Sequence, residues 1–350
     1  MTNTNNILKF KVVIPVHNGG EYIAETIESV LNQTYYMFDL IILENGSTDD
    51  TLTIVNSFRD SRIQVLIEQD LLPIEQNWAR ITSLEGQDEY LVILCADDLL
   101  YPTFLERIAT AIRQNPDACL FHTQAHLIND KSKIIAKCTS VKQIESGDEF
   151  LDALHSNQEP VMGSGYVMKF SDFKSVGGYP DYPRLLLADV WTYFSLTRKS
   201  YKVNVPEYLT AWRIHNDSEG YNPKLIEFLE AVRRYQVDLE NAYYFHGSTT
   251  RTQLLQYFTV RYIRRMARRV VIQNSPQKLS EFVSQTDFIS NDLHYYKAYD
   301  WDLTLKRYLQ IAFISNFYFR TMMYYFLIGI VSLRYLTYLL FRQLNSWSSV

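Results

Sequence analysis

The sequence predicts an α/β protein, with a mostly parallel sheet flanked by helices and a helical C-terminal region after it. Two observations carry this. From Lys11 onward, short β-branched runs alternate with longer segments of helical period, as strands joined by crossover helices do. After Asn222 the strand-like runs stop and helical periodicity alone remains. A chain of 350 residues can bury a large core in one or two domains. The expected division is a domain over residues 1–220, with residues 10–100 and 101–220 as its halves, and a second region over residues 221–350.

Lys11–Val16 (KVVIPV) reads as the first strand because β-branched side chains suit a pleated surface. The loop His17-Asn18-Gly19-Gly20 follows, and then a helix that sets Ile23, Ile27, Val30 and Leu31 on one face. Leu40–Glu44 is a second strand ending in Asn45-Gly46-Ser47, with Ser47 or Thr48 placed to cap a helix that starts near Asp49. Ile63–Glu68 reads as a third strand, Asn77–Leu84 as a helix and Tyr90–Leu94 as a fourth strand. Further on, Thr103–Arg113 and Val190–Arg198 read as helices and Tyr208–Ala211 as a strand.

Ligands of open parallel sheets gather outside the carboxyl ends of the strands, where loops and helix N-termini converge. Three polar loops end predicted strands here: His17–Gly20, Glu44–Asp50 and Cys95–Leu99. Taken singly, their Asn, Gly, Ser and Asp are ordinary turn formers. Their order says more. IPVHNGGEYIAETIESVLNQTY (Ile14–Tyr35), LENGSTDDT (Leu43–Thr51) and LCADD (Leu94–Asp98), followed by LLYP, resemble the family-2 glycosyltransferases of GT-A fold, of bacterial surface-polysaccharide type. The resemblance spans residues 10–218. It implies a Rossmann-like donor half, a nucleotide-sugar donor with uridine as the preferred base, a divalent metal (Mn or Mg), and a saccharide or lipid-linked saccharide acceptor.

A departing nucleoside diphosphate develops negative charge, and a divalent cation held by carboxylate oxygens offsets it. By the resemblance, Asp98 is the direct metal ligand and Asp97 contacts donor, metal or both. The alternative for Asp98 is a cap on the turn into the next helix. The same resemblance puts Pro15, His17, Asn18, Glu44, Asn45 and Arg213 on the donor, and His215 on the metal or the diphosphate. A structural histidine is the plainer alternative for His215. Four positions depart from the family pattern: Cys95 replaces the first Asp of DADD with a soft thiol, Glu44 replaces the first Asp of DDGS, His17 stands where Tyr is common, and Ala188 stands where Glu precedes the Asp of the ED pair.

An inverting transferase needs a carboxylate to take the acceptor's proton. Phe173–Tyr179 (FKSVGGY) resembles the family's GGF/GGY turn, and Ala188-Asp189-Val190-Trp191 falls where its ED or xD pair opens a helix. Asp189 is therefore the candidate base, with a helix N-cap as the alternative role. Gly163-Ser164-Gly165 is either a lining of the acceptor site or an ordinary turn.

Charge narrows the partners: 34 Lys+Arg against 39 Asp+Glu give −5, so no global field attracts nucleic acid. Cys95, Cys119 and Cys138 are odd in number and lack the close spacing of zinc or redox motifs, which fits a reducing compartment. Met1–Phe10 is polar and Asn-rich, unlike a secretory signal, so a cytoplasmic location is expected. Arg261, Arg264, Arg265, Arg268 and Arg269 recur on one helix face, which suits an anionic membrane surface or a polyprenyl-pyrophosphate acceptor, or else solvent. Leu303–Val350 contains no Asp or Glu, and its apolar core Thr321–Leu333 is shorter than the roughly 20 residues a span needs. An in-plane anchor on the inner face of the cell membrane, a homo-oligomer interface and a true span all stay open for 311–342.

The expectation is an inverting, metal-dependent glycosyltransferase. Cys95, Glu44 and Ala188 motivate an alternative of another class, a sugar-nucleotide-binding or assembly subunit without catalysis. A nucleotidyltransferase would need a Gly-rich basic loop after the first strand, and His17–Glu21 supplies none.

Overall fold

Continuous apolar runs such as VVIPV and LIIL mean strands buried on both faces, and the first three expected strands form with the fourth as a parallel unit. The computed structural model of the protein describes residues 7–86, 89–138, 142–155, 163–215 and 225–242. β1 (Phe10–Val16), α1 (Ile23–Leu31), β2 (Phe38–Asn45), α2 (Thr51–Val55), β3 (Ile63–Glu68), α3 (Ile74–Ala79) and β4 (Tyr90–Ile93) make up the first half. The second half contains β5 (Leu99–Leu100), α4 (Phe104–Gln114), β6 (Leu120–Ile128), β7 (Ile134–Cys138), β8 (Ile144–Ser146) and α5 (Gly147–His155). It continues with β9 (Val167–Lys169), α6 (Phe170–Ser175), α7 (Ala188–Thr197), β10 (Tyr201–Arg213) and α8 (Leu225–Ala242).

The sheet runs β3-β2-β1-β4-β9-β6-β10-β5, with β7 on β6 and β8 on β10. Its β3-β2-β1-β4 part is wholly parallel, whereas β9 pairs antiparallel with both β4 and β6. The expected mostly parallel sheet thus holds for the first half and becomes mixed in the second. The chain steps from β1 outward to β3 and then crosses to β4, so a topological switch point lies between β1 and β4.

One face of the parallel part carries Phe10, Val12, Ile14, Leu40, Ile42 and Val92, packed under Ile23, Ile27 and Val30 of α1 and Phe104, Leu105 and Ile108 of α4. The alternate residues Val13, Ile41, Leu43, Leu91 and Ile93 are also buried, on the opposite face. Pro15 is tolerated in this central strand for a specific reason. Val13 is the last β1 residue paired with β4, and its carbonyl accepts Leu94 N–H at 3.0 Å. Pro15 faces the same side two residues on, where β4 has already turned away and no N–H is required.

Some boundaries move, each for a physical cause. α2 starts at Thr51 and not beside Ser47 or Thr48: Asp49 Oδ1 accepts Thr51 N–H at 3.0 Å, while Ser47 Oγ accepts Asn18 N–H at 3.0 Å. The helix expected from Asn77 begins at Ile74, after Pro73, and ends in a 3-10 turn, Arg80–Ser83. β10 runs over Tyr201–Arg213, well beyond the expected Tyr208–Ala211, because its buried Lys202 and Asn204 find a partner in Glu145 of β8 at 3.0 and 2.7 Å.

The compact unit that holds the sheet extends to Tyr244, and so includes α8 beyond the boundary expected at 220; a second unit covers Phe245–Val350. Arg261, Arg264, Arg265, Arg268, Arg269 and the stretch 303–350 lie outside the described residues. Among the described residues no helix is long and apolar enough to cross a membrane.

Candidate active site

The β4 chain leaves the sheet at the switch point in a tight turn. Cys95 O accepts Asp98 N–H at 3.1 Å, which brings the first and last residues of Cys95-Ala96-Asp97-Asp98 together. Ligand atoms of Cys95, Asp97 and Asp98 consequently lie within 4.8 Å of one another. Asp98 is buried, and its Oδ1 accepts Arg213 N–H at 2.7 Å. Asp97 is half-buried, with Oδ2 at 2.9 Å from His215 Nε2. The His215 ring lies 4.9 Å from that of Tyr22.

Burial first, and the charge of Asp97 second, push the Asp98 carboxyl well above the usual carboxylate range, although hydrogen bonds from Ser164 and Arg213 act the other way. Burial, then Asp98, Asp97 and more weakly Asp189, raise the Cys95 thiol in the same manner. A bound cation would relieve this crowding of negative charge, and two carboxylates with an imidazole behind one of them suit a divalent ion. The residues present therefore fit the metal that the resemblance implies.

Arg213 has a fully buried side chain whose guanidinium is engaged within the protein. Nε donates to Asp97 O at 2.8 Å, Nη1 to Asn129 O and Ser132 Oγ at 3.2 and 2.9 Å, and Nη2 to Glu25 Oε2 at 2.6 Å. It also lies 4.5 Å from the centroid of the Tyr22 ring. In this arrangement it braces the aspartate turn against α1 and the β6–β7 hairpin.

The loops that follow β1 and β2 lie alongside, with Gly19 close to Ala96. His17 is exposed, with Nδ1 at 2.9 Å from Asn45 O. Asn18, in the left-handed region at φ 51°, accepts Thr48 N–H at 2.8 Å through Oδ1. Glu44 is buried and its carboxylate accepts Ser47 N–H at 2.7 Å and Gly46 N–H at 3.2 Å, so it shapes its own loop. Gly46, at φ 60°, has no room for a side chain, since a Cβ would stand 2.9 Å from Leu71 N. Asn45 exchanges two bonds of 3.0 Å with the Leu72 backbone and thereby ties loop 69–73 to β2. Pro15 lies buried at the foot of this group.

Asp189 sits in the first turn of α7 and is not its N-cap, which is Leu187. Val190 N–H donates to Asp189 Oδ1 at 2.7 Å. Just upstream, Arg184, Leu185 and Leu187 take left-handed φ values of 54°, 55° and 67°. Each such non-glycine residue costs about 1–3 kcal/mol, and clusters of them mark segments whose surroundings dictate their shape. Here Glu75 Oε1 accepts Arg184 N–H at 2.6 Å, and Tyr182 O–H donates to Asp238 of α8.

Three contributions are not foreseen in the sequence, although Ser164 lies in the segment weighed there as acceptor lining or turn. Ser164, in the segment before β9, accepts Cys95 N–H at 2.8 Å and hydrogen-bonds Asp98, while its carbonyl accepts Trp212 Nε1–H at 3.2 Å. Trp78 of α3 borders the same space: a Cβ on Gly163 would stand 3.7 Å from Cys95 Sγ and 3.8 Å from the Trp78 ring. Trp78 also meets Tyr179 edge-on at 5.3 Å, and Tyr193 O–H donates to Gly163 O at 3.1 Å, which closes the floor. The third is a polar stripe on α1. Thr26 O–H donates to Ala96 O at 2.9 Å, Ser29 Oγ accepts Leu100 N–H at 3.2 Å, and Gln33 bonds Tyr101 O and Leu105 N at 2.8 and 3.0 Å. Pairs of Ser, Thr and Gln at helical spacing were the available signal, but they read equally well as a solvated face.

Residues 11–174 match the family described as glycosyl transferase family 2. Over that stretch the chain is similar to family-2 glycosyltransferases. A glycosyltransferase of Haemophilus influenzae, itself uncharacterized, is 25% identical over 247 residues, covering 65% of this chain and 72% of its own length. Glycosyltransferase GlyG of Streptococcus pneumoniae is 30% identical over 105 residues, and a relative in Rickettsia conorii 34% over 132, but the matches span only 35% and 21% of those two proteins. Among solved structures, S. aureus TarS residues 1–349 in complex with UDP-GlcNAc superposes with a TM-score of 0.58 at 16% identity, over 73% of this chain and 72% of that one. That likeness extends the shared fold beyond the family match. The chain therefore has the α/β fold expected of its motifs, with the aspartate turn at the sheet's switch point.

Proposed function

We propose that this glycosyltransferase is an inverting, divalent-metal-dependent enzyme that moves a sugar from a UDP-sugar to a saccharide or lipid-linked saccharide acceptor. The observation that carries the reading is the gathering of Asp97 and Asp98 beside His215 at the switch point of a family-2 domain, with Asp189 close enough to act on Cys95 electrostatically. The UDP-GlcNAc complex of TarS supports uridine as the base. Pro15, His17, Asn18, Glu44 and Asn45 line the donor's base and ribose, and Asp97 and Asp98 hold the cation.

When bound, the cation supplies Lewis-acid stabilisation of the leaving diphosphate. Arg213 keeps the two aspartates aimed at it. Trp78 offers an apolar wall to the sugar, and Asp189 takes the proton of the acceptor hydroxyl as it attacks the anomeric carbon. We further place the enzyme at the cytoplasmic face of the membrane, through the basic face of Arg261, Arg264, Arg265, Arg268 and Arg269, in keeping with a lipid-linked acceptor.

The Asp189→Asn variant tests the catalytic part. It should bind UDP with manganese as the wild type does and lose transfer by about 100-fold or more, the scale of general-base catalysis. Equal transfer rates in the two proteins would remove Asp189 as the base. Tight UDP binding without turnover on any acceptor, in the wild type itself, would favour the non-catalytic subunit.

A further inference from the structure

In its family pattern, the position of Cys95 belongs to a carboxylate, and from the sequence its thiol is a loss. The structure gives it a different place. The β-turn that closes on Asp98 N–H points the side chain of Cys95 into the group formed by Asp97 and Asp98, with all three donor atoms within 4.8 Å. Two ligands on one ion stand at most the sum of their bond lengths apart, about 4.4 Å for one sulfur and one oxygen. The group is therefore within a few tenths of an ångström of a coordination set. Its backbone is fixed independently of any metal, by Ser164 Oγ on Cys95 N–H at 2.8 Å and Thr26 Oγ on Ala96 O at 2.9 Å. Gly163 comes up to the sulfur without crowding it, since even an added Cβ would stand 3.7 Å away, at ordinary van der Waals contact.

We infer that Cys95 Sγ is an inner ligand of the cation held by Asp97 and Asp98, and that the site prefers a thiophilic divalent ion to magnesium. This rests on the metal-dependent reading above. Sulfur strengthens binding of manganese, cobalt and zinc in that rising order, whereas magnesium holds to oxygen ligands and to its waters. Coordination breaks the S–H bond and forms an S–metal bond, and the proton passes to solvent.

Cobalt(II) titration of the full chain, followed by absorption, tests this without reference to turnover. The wild type should develop a near-ultraviolet sulfur-to-cobalt charge-transfer band that disappears in Cys95→Ser and Cys95→Asp and persists in Cys119→Ser and Cys138→Ser. Competition with magnesium should show the cobalt-over-magnesium preference falling by about tenfold or more in Cys95→Asp. Cobalt bound through d–d bands alone, with one cobalt-to-magnesium ratio for wild type and Cys95→Asp, would overturn the proposal and leave the aspartate site standing. If neither protein binds cobalt, the proposal and the metal-dependent reading both fall.

Discussion

Arg213 shows how one residue can matter to a site without facing its ligand. The motif WRIH suggests a cation for phosphate, yet the guanidinium is buried and braces Asp97, Glu25 and the β6–β7 hairpin. Hydrogen bonds from a charged group contribute about 1.5–3 kcal/mol each when buried partners would otherwise go unpaired. Arg213→Lys keeps the charge but cannot reproduce the fork, so its melting temperature should fall by about 5 °C or more, and metal affinity with it. An unchanged melting temperature would mean that the brace is dispensable. Asp98 and Asp189 stand out as candidates in the sequence because motif order singles them out. Ser164 stands in the sequence only as part of a Gly-Ser-Gly lining or turn, and its bonds to Cys95 and Asp98 leave no signal there.

At the level of elements, α1 does more than cover the sheet. Its apolar face, Ile23, Ile27 and Val30, packs on the core, and its stripe of Thr26, Ser29 and Gln33 grips the chain from Ala96 to Leu105 that carries the aspartate turn. Gln33→Ala would strand Leu105 N–H and Tyr101 O in the interior at about 1–3 kcal/mol for each unsatisfied group. Thermal denaturation should show that loss, and manganese titration a weaker site; full metal affinity at reduced stability would confine Gln33 to the fold. Strands β1, β2 and β4 were legible because burial on both faces writes a nearly unbroken apolar run, and β3, only partly buried, because Ile63, Val65 and Ile67 alternate with other residues. β10 was legible only in part, since Lys202 and Asn204 look like solvent residues until Glu145 is found beside them. The left-handed run before Asp189 left no sequence signal, because Arg and Leu carry no preference for that conformation.

For the molecule as a whole, the negative charge gathered at the switch point couples stability to pH and to metal. The Asp98 carboxyl is raised above its unfolded value, so its contribution is fully present below about pH 3.9 and is lost as pH rises through the folded value. A cation acts in the opposite sense by favouring the carboxylate. Added manganese should therefore raise the melting temperature more at about pH 7.5 than at about pH 5.5, and Asp98→Asn should abolish the difference. An equal increment at both pH values would place the metal elsewhere. UDP release from UDP-sugars, measured with and without manganese in the wild type and in Asp98→Ala, reports on whether Asp97 and Asp98 form the donor and metal site. Manganese-dependent release by the wild type and a loss of about 100-fold or more in the variant are expected; undiminished release by Asp98→Ala would place the metal elsewhere.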